Sequence, residues 1–420
     1  MLNSDDDHSA FGYDGETLMP EREVNAGYAV AARPLRQCVD NRADSTEIRS
    51  SERTAATEFD AVDQNFQVDP YPVYAQLREH TPIFYNEETR SRVVTRYHDI
   101  VECLKRSDLI SHDQFWDEPV SRHDRSDRRQ AYVVNAFSHM MMYKDGQPHA
   151  RMRKQSNRTF TPPQVKARQP EIERICRTLL EECRERGRFD DAHDFAQPLP
   201  SIVIADYLGL PQQDRQWIRA LADRFAVVFE PLLSDPERTE ILTSTVPLVD
   251  YLFELIDTRR RQPGDDFVSL LVAIRQEDGG MTDVELCANL MHLLVAGNET
   301  TTNLLEHMIV QLTRFPEMRA DIESDPEKIR AFMEETLRYE APIQIIARKT
   351  TDEVTLYDQQ ILPGSLVAFV LGSGNRDEAR FPDPDTFDPT RADKAHLSFA
   401  SGAHFCLGAP LARLQGNLSV

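Results

Sequence analysis

The chain has 420 residues, of which 40% are hydrophobic, so it can bury a large core in one big domain or two medium ones. Its formal net charge of −22 argues against general nucleic-acid binding, because most of the surface would repel a phosphate backbone. No stretch approaches the roughly 18 to 20 consecutive apolar residues of a membrane helix, and the N-terminus lacks the basic start and apolar run of a secretion signal. We therefore expect a globular protein with neither membrane anchor nor export.

Residues 1–58 mix acidic, basic and small side chains without apolar periodicity, which predicts a disordered leader or a start codon assigned too early. We expect the folded domain over residues 59–420, with order beginning near Phe66. A helical stretch over residues 68–80 precedes two short β-type runs, residues 82–86 and 91–100, around the turn NEETR. This part of the sequence predicts a small sheet.

From about Pro148 to Arg338 nearly the whole sequence has a helical pattern, interrupted by short connections such as GLPQQD and QPGDD. Residues 343–351 and 361–372 are β-rich, and residues 375–394 form a long loop rich in proline and aspartate. The predicted fold class is mainly α with small β-sheets (α+β), as a single large helical domain with a β region on its N-terminal side.

The six cysteines form no C-x-x-C pair and no zinc-like grouping with histidine, so a reducing cytoplasm is the expected compartment. A lone cysteine in an apolar helix usually serves as a small hydrophobic side chain. That interpretation suits Cys103, Cys176, Cys183 and Cys287.

Cys406 lies in a segment of a different kind, FASGAHFCLGAPLAR (residues 399–413). A thiolate ligand of iron must be deprotonated and shielded from water, and its backbone must leave room for a flat macrocycle. Gly402 and Gly408 provide that room. A helix with Pro410 in its first turn follows, so free N–H groups and the positive end of its dipole face the sulfur.

A long helix is predicted to begin at the capping box of Thr282 and Glu285 and to run to Arg314, where a Phe-Pro pair ends it. Its middle reads AGNETTT (residues 296–302), in which glycine and threonine both disfavour a helix. The residues are compatible with a local bend, with a polar outer face, or with a role in chemistry.

The cysteine segment resembles the signature F-x-x-G-x-[H/R]-x-C-x-G of the cytochrome P450 family. Ala400 departs from it, since many relatives have glycine there. The resemblance extends from about residue 66 to the C-terminus, and it implies a bacterial-type haem-thiolate monooxygenase with haem b and with Cys406 as the axial iron ligand. The fixed positions are matched by Phe399, Gly402, His404, Cys406 and Gly408.

Residues 296–301 are similar to the family motif A-G-x-[D/E]-T-[T/S]. By this resemblance, Ala296 and Gly297 make space for dioxygen, and Glu299 and Thr300 deliver protons so that water leaves rather than peroxide. One oxygen atom of O2 would then enter a hydrophobic small molecule, as in bacterial secondary metabolism.

Basic residues elsewhere are assigned by the same resemblance. His149 and Arg153, four residues apart and on one helical face, would bind the haem propionates together with Arg348 and His404. A buried network that locks the cysteine loop under the haem would consist of Glu335, Arg338 and Arg391.

The sequence carries neither a reductase nor a flavin motif, so the electrons are expected from a separate ferredoxin or flavodoxin. Arg151, Lys154 and Arg158 form either a docking patch for this acidic donor or a solvated charged face. We expect a monomer. The resemblance to the family also implies which residues line the substrate pocket: residues 137–142, Phe225, Phe229, Leu293, Ala296, Gln344 and Ile346.

Two alternatives stay open. A peroxygenase on the same fold would use hydrogen peroxide, although the pair of Glu299 and Thr300 argues against it. The other alternative is a non-catalytic haem-binding or recruiting domain. It stays open because the chain stops at Val420, within the helix after Cys406, and we expect the β-rich C-terminal tail of relatives to be missing.

Overall fold

The computed structural model describes residues 59–419 apart from residues 61–62, 107–109, 112–127, 230–232, 276–279, 326 and 358. The leader predicted over residues 1–58 lies outside the described residues. Helices dominate the described part and strands form two small sheets, so the predicted α+β class is confirmed. Across these residues, no helix combines the length and the apolar character needed to cross a membrane.

The helices follow one another with short connections along most of the chain. In chain order they are α1 (Gln64–Val68), α2 (Tyr71–His80), α3 (Tyr97–Lys105), α4 (Arg128–Ser138), α5 (Gly146–Asn157), α6 (Pro162–Lys166), α7 (Gln169–Arg186), α8 (Pro198–Leu208), α9 (Arg215–Ala226), α10 (Asp235–Ser244), α11 (Val246–Arg261), α12 (Phe267–Arg275), α13 (Asp283–Ala296), α14 (Glu299–Arg314), α15 (Pro316–Ser324), α16 (Lys328–Tyr339), α17 (Leu371–Gly374) and α18 (Ala409–Leu418). Single turns of other helix types lie at Met141–Tyr143, Asp191–Ala196, Gln212–Asp214, Val227–Phe229 and Gly402–His404.

The strands come from two distant parts of the sequence. They are β1 (Ile83–Asn86), β2 (Ser91–Val94), β3 (Ile110–Ser111), β4 (Ile345–Thr350), β5 (Val354–Leu356), β6 (Gln359–Ile361) and β7 (Leu366–Val370). The larger sheet has the order β1-β2-β7-β4-β3, with β2 and β7 parallel and the other pairs antiparallel, while β5 and β6 form a separate hairpin. The hairpin predicted around NEETR is confirmed by the pairing of β1 with β2. The β-type run predicted over residues 91–100 is wrong beyond Val94, because helix α3 begins at Tyr97.

Several helix ends are determined by local chemistry. The predicted capping box at α13 is confirmed: Thr282 Oγ1 accepts the N–H of Glu285 at 3.2 Å, and Glu285 Oε2 accepts the N–H of Thr282 at 2.9 Å. The helices α7 and α8 end at Gly187 and Gly209, whose φ values of +66° and +72° are left-handed.

The single helix predicted from residue 283 to Arg314 is wrong, because α13 and α14 are separate helices divided at Gly297 and Asn298. A Cβ on Gly297 would lie 3.0 Å from the carbonyl oxygen of Leu293, so the chain is tightly packed there. Asn298 is the N-cap of α14, but its Nδ2 donates to Asp223 Oδ1 in α9 at 3.1 Å. The weak helix propensity of these residues permits the interruption.

The predicted network of Glu335, Arg338 and Arg391 is confirmed. Glu335 and Arg338 in α16 form a bidentate pair with no exposed side-chain area, with Nη2 2.7 Å from Oε1 and Nε 2.9 Å from Oε2. Arg391 Nε lies 3.5 Å from Glu335 Oε1. Both arginines also donate to backbone carbonyls of the loop 375–394, so the network fastens this loop to α16.

The cysteine loop contains two left-handed residues. Gly402 has φ +77°, and a Cβ there would lie 2.5 Å from the carbonyl oxygen of Leu104 in α3, so only glycine fits. Ala400 has φ +56°, a conformation that costs a residue with a Cβ about 1 to 2 kcal/mol. The loop closes through a hydrogen bond from the N–H of Cys406 to the carbonyl of Phe399 at 3.0 Å.

Replacing Glu335 by glutamine should lower the free energy of unfolding by about 3 kcal/mol, since Arg338 then keeps a buried charge without its counter-charge. Denaturant unfolding of the two proteins measures the difference. The control is Glu323→Gln, which breaks an exposed pair with Arg319 and should cost less than about 0.5 kcal/mol. Equal small losses in both variants would contradict the prediction.

The change Ala400→Gly should raise the free energy of unfolding by about 1 kcal/mol, because glycine adopts the left-handed conformation without the Cβ penalty. Ala403→Gly is the matched control three residues away, at a residue without positive φ, and should instead be destabilising by about 0.5 to 1 kcal/mol. Thermal and denaturant unfolding report both changes. A stability loss in Ala400→Gly would show that the loop is not strained at this residue.

Candidate functional site

The sulfur of Cys406 lies between the cysteine loop and the start of α18. The side chain is half-buried, whereas the other four described cysteines are buried. Burial raises the pKa of the Cys406 thiol, while the backbone N–H groups of Gly408 and Ala409 and the charge of Arg153 oppose that rise. Burial also raises the pKa of Cys103 to about 12 and that of Cys176 to about 11. Cys406 is thus the described cysteine whose sulfur meets both helix-start donors and an arginine.

We call the four predicted propionate ligands the basic cluster: His149 and Arg153 from α5, Arg348 from β4, and His404 two residues before Cys406 in the cysteine loop. The rings of His149 and His404 stack with centroids 4.0 Å apart. Arg153 interacts electrostatically with both His149 and Cys406. Arg348 is buried on β4, which the central pairing with β7 holds in place.

Burial dominates the electrostatics of the basic cluster. It lowers the pKa of Arg348 to about 10, with Asp145 and Tyr143 opposing the change. Burial, together with the neighbouring His404 and Arg153, lowers the pKa of His149 to about 4, so its ring is neutral at pH 7. The buried guanidinium of Arg348 and the neutral imidazole of His149 have few water molecules as hydrogen-bond partners. A carboxylate can take the place of that water, so these groups suit carboxylate binding.

Sequence reasoning missed Asp145, which belongs to the same group. Its Oδ1 lies 3.1 Å from His404 Nε2, and it interacts with His149 and Arg348. An aspartate just before a helix is ordinarily explained as an N-cap, so the local sequence gives no sign of this role. Only the folded chain brings it to the cysteine loop.

The break between α13 and α14 holds the predicted proton-delivering residues. Thr300 Oγ1 donates to the carbonyl oxygen of Ala296 at 2.8 Å, which satisfies a group near the end of α13. Ala296 and Glu299 are exposed. Thr302 is buried and donates to the carbonyl of Ala196 at 3.1 Å, so it has a structural role.

A second residue that sequence reasoning missed is His292. Helical spacing places it on the same face of α13 as Asn289 and Ala296. Asn289 Oδ1 accepts the N–H of Met141 at 3.0 Å, which fixes the direction of this face. Burial lowers the pKa of His292 to about 4, so a neutral imidazole stands one helical turn before Ala296.

The aromatic residues predicted to line the substrate pocket are packed against one another. Phe137 and Phe225 are buried in the main core, with Phe229 packed against it, and ring centroids in this group are 5.5 to 5.8 Å apart. Phe137 and Phe225 are therefore core residues in this structure. Gln344 Nε2 donates to the Ala341 carbonyl at 3.0 Å. Half-buried positions are occupied by Leu293, Gln344 and Ile346.

The predicted docking patch differs from expectation at Arg151. Its guanidinium is bound in a bidentate pair to Glu285 and also donates to the carbonyl of Gly280 at 3.1 Å, so it links α5 to the start of α13. Lys154 and Arg158 are exposed. Of the three residues in the predicted patch, these two are therefore the exposed ones.

The described residues fit a haem. A sulfur with two backbone N–H donors offers an axial ligand, and the basic cluster beside it offers partners for two propionates. Ala296, the last residue of α13, has a small side chain at an exposed position.

Comparison with known proteins assigns the chain to a family. The sequence model of cytochrome P450 matches residues 93–420. Cytochrome P450 monooxygenase PikC of Streptomyces venezuelae is 35% identical over 367 residues, which are 86% of this chain and 84% of PikC. The biotin biosynthesis cytochrome P450 of Bacillus subtilis is 32% identical over 357 residues, 84% of this chain and 88% of that protein.

Solved structures agree with the sequence matches. The crystal structure of P450BioI in complex with hexadec-9Z-enoic acid ligated acyl carrier protein has a TM-score of 0.78 and 30% identity, and the match covers 85% of this chain and 91% of that one. The testosterone complex of CYP109E1 from Bacillus megaterium has a TM-score of 0.75 and 30% identity over 85% and 90% of the two chains. Because the family model and these relatives match most of its length, the chain belongs to the cytochrome P450 family and is a haem-dependent monooxygenase.

Proposed function

We propose that this enzyme inserts one oxygen atom of O2 into a hydrophobic small molecule by hydroxylation or epoxidation, with haem b bound through Cys406. The observation that carries the proposal is the sulfur of Cys406, which meets the N–H groups of Gly408 and Ala409 beside the basic cluster. When bound, the haem supplies reductive cleavage of the O–O bond, which an anionic sulfur ligand favours. Phe399, Gly402 and Gly408 shape the loop that presents this ligand.

The basic cluster is proposed to bind the haem propionates. Arg153 and Arg348 supply permanent charge, while His149 and His404 supply ring N–H donors from α5 and the cysteine loop. Since burial disfavours both the guanidinium of Arg348 and an imidazolium at His149, a carboxylate there gains more than it would in water. The four side chains come from three separate elements, so a bound haem would also join those elements.

Proton delivery is proposed for Glu299 and Thr300. Thr300 uses its hydroxyl hydrogen on the Ala296 carbonyl, which leaves its oxygen lone pairs to accept from a water molecule. Glu299 is exposed, so its carboxyl can exchange protons with solvent and pass them inward. Ala296 is small and exposed and is proposed to leave space for dioxygen, whereas a Cβ on Gly297 would lie 3.0 Å from the carbonyl oxygen of Leu293. The presence of this pair favours use of O2 and electrons over the peroxygenase alternative.

The electron donor is proposed to be a separate ferredoxin or flavodoxin that contacts Lys154 and Arg158. Both side chains are exposed, with Lys154 in the last turn of α5, the helix that also carries Arg153, and Arg158 as its C-cap. Such an encounter weakens as ionic strength rises. We propose a cytoplasmic monomer. The half-buried apolar residues Leu293 and Ile346 support a hydrophobic substrate.

Replacing Cys406 by alanine should abolish the red-shifted Soret band of the reduced, carbon-monoxide-bound enzyme, because that band requires a sulfur ligand. Absorption spectroscopy of the purified holoenzyme is the measurement. The control Cys287→Ala removes a fully buried thiol packed against α11 and should keep the band. If Cys406→Ala retains the band, the ligand is another residue and the proposal fails.

Replacing Thr300 by alanine should leave haem binding intact but divert reducing equivalents to hydrogen peroxide, lowering the fraction recovered in product by ~10-fold, since proton delivery is lost. Product, peroxide and reductant are measured together. Thr313→Ala in the same helix is the matched control, because Thr313 Oγ1 makes the same bond to the carbonyl four residues earlier, at 3.0 Å. Equal coupling in both variants would reduce Thr300 to a helix residue.

A further inference from the structure

We propose that Asp145 is a positioning residue for the cofactor, which holds the ring of His404 and sets the net charge of the basic cluster. The inference rests on the proposed role of that cluster in binding the haem propionates. It concerns an acidic side chain that the propionate assignment does not use and that, on charge alone, opposes the binding of carboxylates.

Asp145 has the extended N-cap backbone of α5, with φ −118° and ψ 177°, but within the described residues its side chain makes no cap hydrogen bond to the helix. Asp63 and Asp190, the N-caps of two other helical segments, do accept backbone N–H groups in the ordinary way. Asp145 therefore forgoes the stabilisation that its position offers, and its carboxylate is directed elsewhere.

A contact with His404 replaces the cap. Asp145 Oδ1 lies 3.1 Å from His404 Nε2, across 259 residues of sequence. The two side chains are 17% and 15% exposed, so the bond is largely shielded from water. Because the His149 ring stacks on the His404 ring at 4.0 Å, fixing one ring restrains the other. A single carboxylate thus orders half of the basic cluster.

Asp145 also supplies a negative charge next to a buried cation. It interacts favourably with the guanidinium of Arg348 and contacts His404. This anion offsets a positive charge that burial disfavours, before the propionates arrive. The same anion makes addition of an electron nearby less favourable, and it should therefore hold the reduction potential of the haem at a lower value.

Orientation and charge are separated by two substitutions in the holoenzyme. Asp145→Asn keeps an oxygen that can accept from His404 but removes the charge, whereas Asp145→Ala removes both. The measurements are the rate of haem transfer to excess apomyoglobin and the midpoint potential of the haem. We expect Asp145→Ala to lose haem about 3- to 10-fold faster than Asp145→Asn, because one shielded hydrogen bond is lost. Both variants should have a more positive potential than the natural protein.

The single variant His404→Ala and the double variant complete the cycle. If Asp145 acts through His404, the double variant loses haem no faster than His404→Ala alone. Equal haem loss in Asp145→Asn and Asp145→Ala would overturn the orienting role, and unchanged potentials in both would overturn the charge role. If His404→Ala loses haem faster but Asp145→Ala does not, only this inference fails. Retention of haem in His404→Ala would overturn the propionate assignment and this inference with it.

Discussion

The buried pair of Glu335 and Arg338 is the interaction on which the rest of the site depends. A guanidinium without exposed area is tolerated only when its charge and its N–H donors are all engaged, and here a carboxylate and the loop 375–394 engage them. This requirement fastens the loop to α16. The segment that follows then enters the cysteine loop from a fixed direction, with Gly402 pressed against α3 and Cys406 at the start of α18.

Features that depend on neighbouring residues could be predicted from the sequence. The capping box at Thr282 and the hairpin around NEETR are each determined by chemistry within about ten residues. The cysteine loop has a local signature, but its position also depends on the contact of Gly402 with Leu104. The network of Glu335, Arg338 and Arg391 could be predicted because the resemblance to the family carries information about distant contacts. Residue spacing alone does not carry that information. The interruption of the long helix was only partly visible: AGNETTT is a poor helix sequence, but the break itself depends on Asn298 and its contact with α9.

Features that depend on distant partners could not be predicted. Asp145 looks like an N-cap, and Arg151 looks like one member of a solvated face, until the fold brings His404 to the first and Glu285 to the second. The same holds for Phe137 and Phe225, whose burial in the core reflects the packing of α4 against α9 and the neighbouring helices. In each case the local sequence pattern is compatible with two different structural surroundings of the side chain.

The larger sheet has a consequence for how the protein is made. Gln359 Nε2 donates to the carbonyl of Ile83, 276 residues earlier, in the same region where β2 pairs with β7. At about 5 to 20 residues per second, a ribosome needs roughly 14 to 55 s to synthesise the chain between these partners. Throughout that interval the hairpin of β1 and β2 has an unpaired edge, which is prone to association with other chains. β7 lies between β2 and β4, so the strand that carries Arg348 joins this hairpin only after β7, which follows it in the chain, has been made.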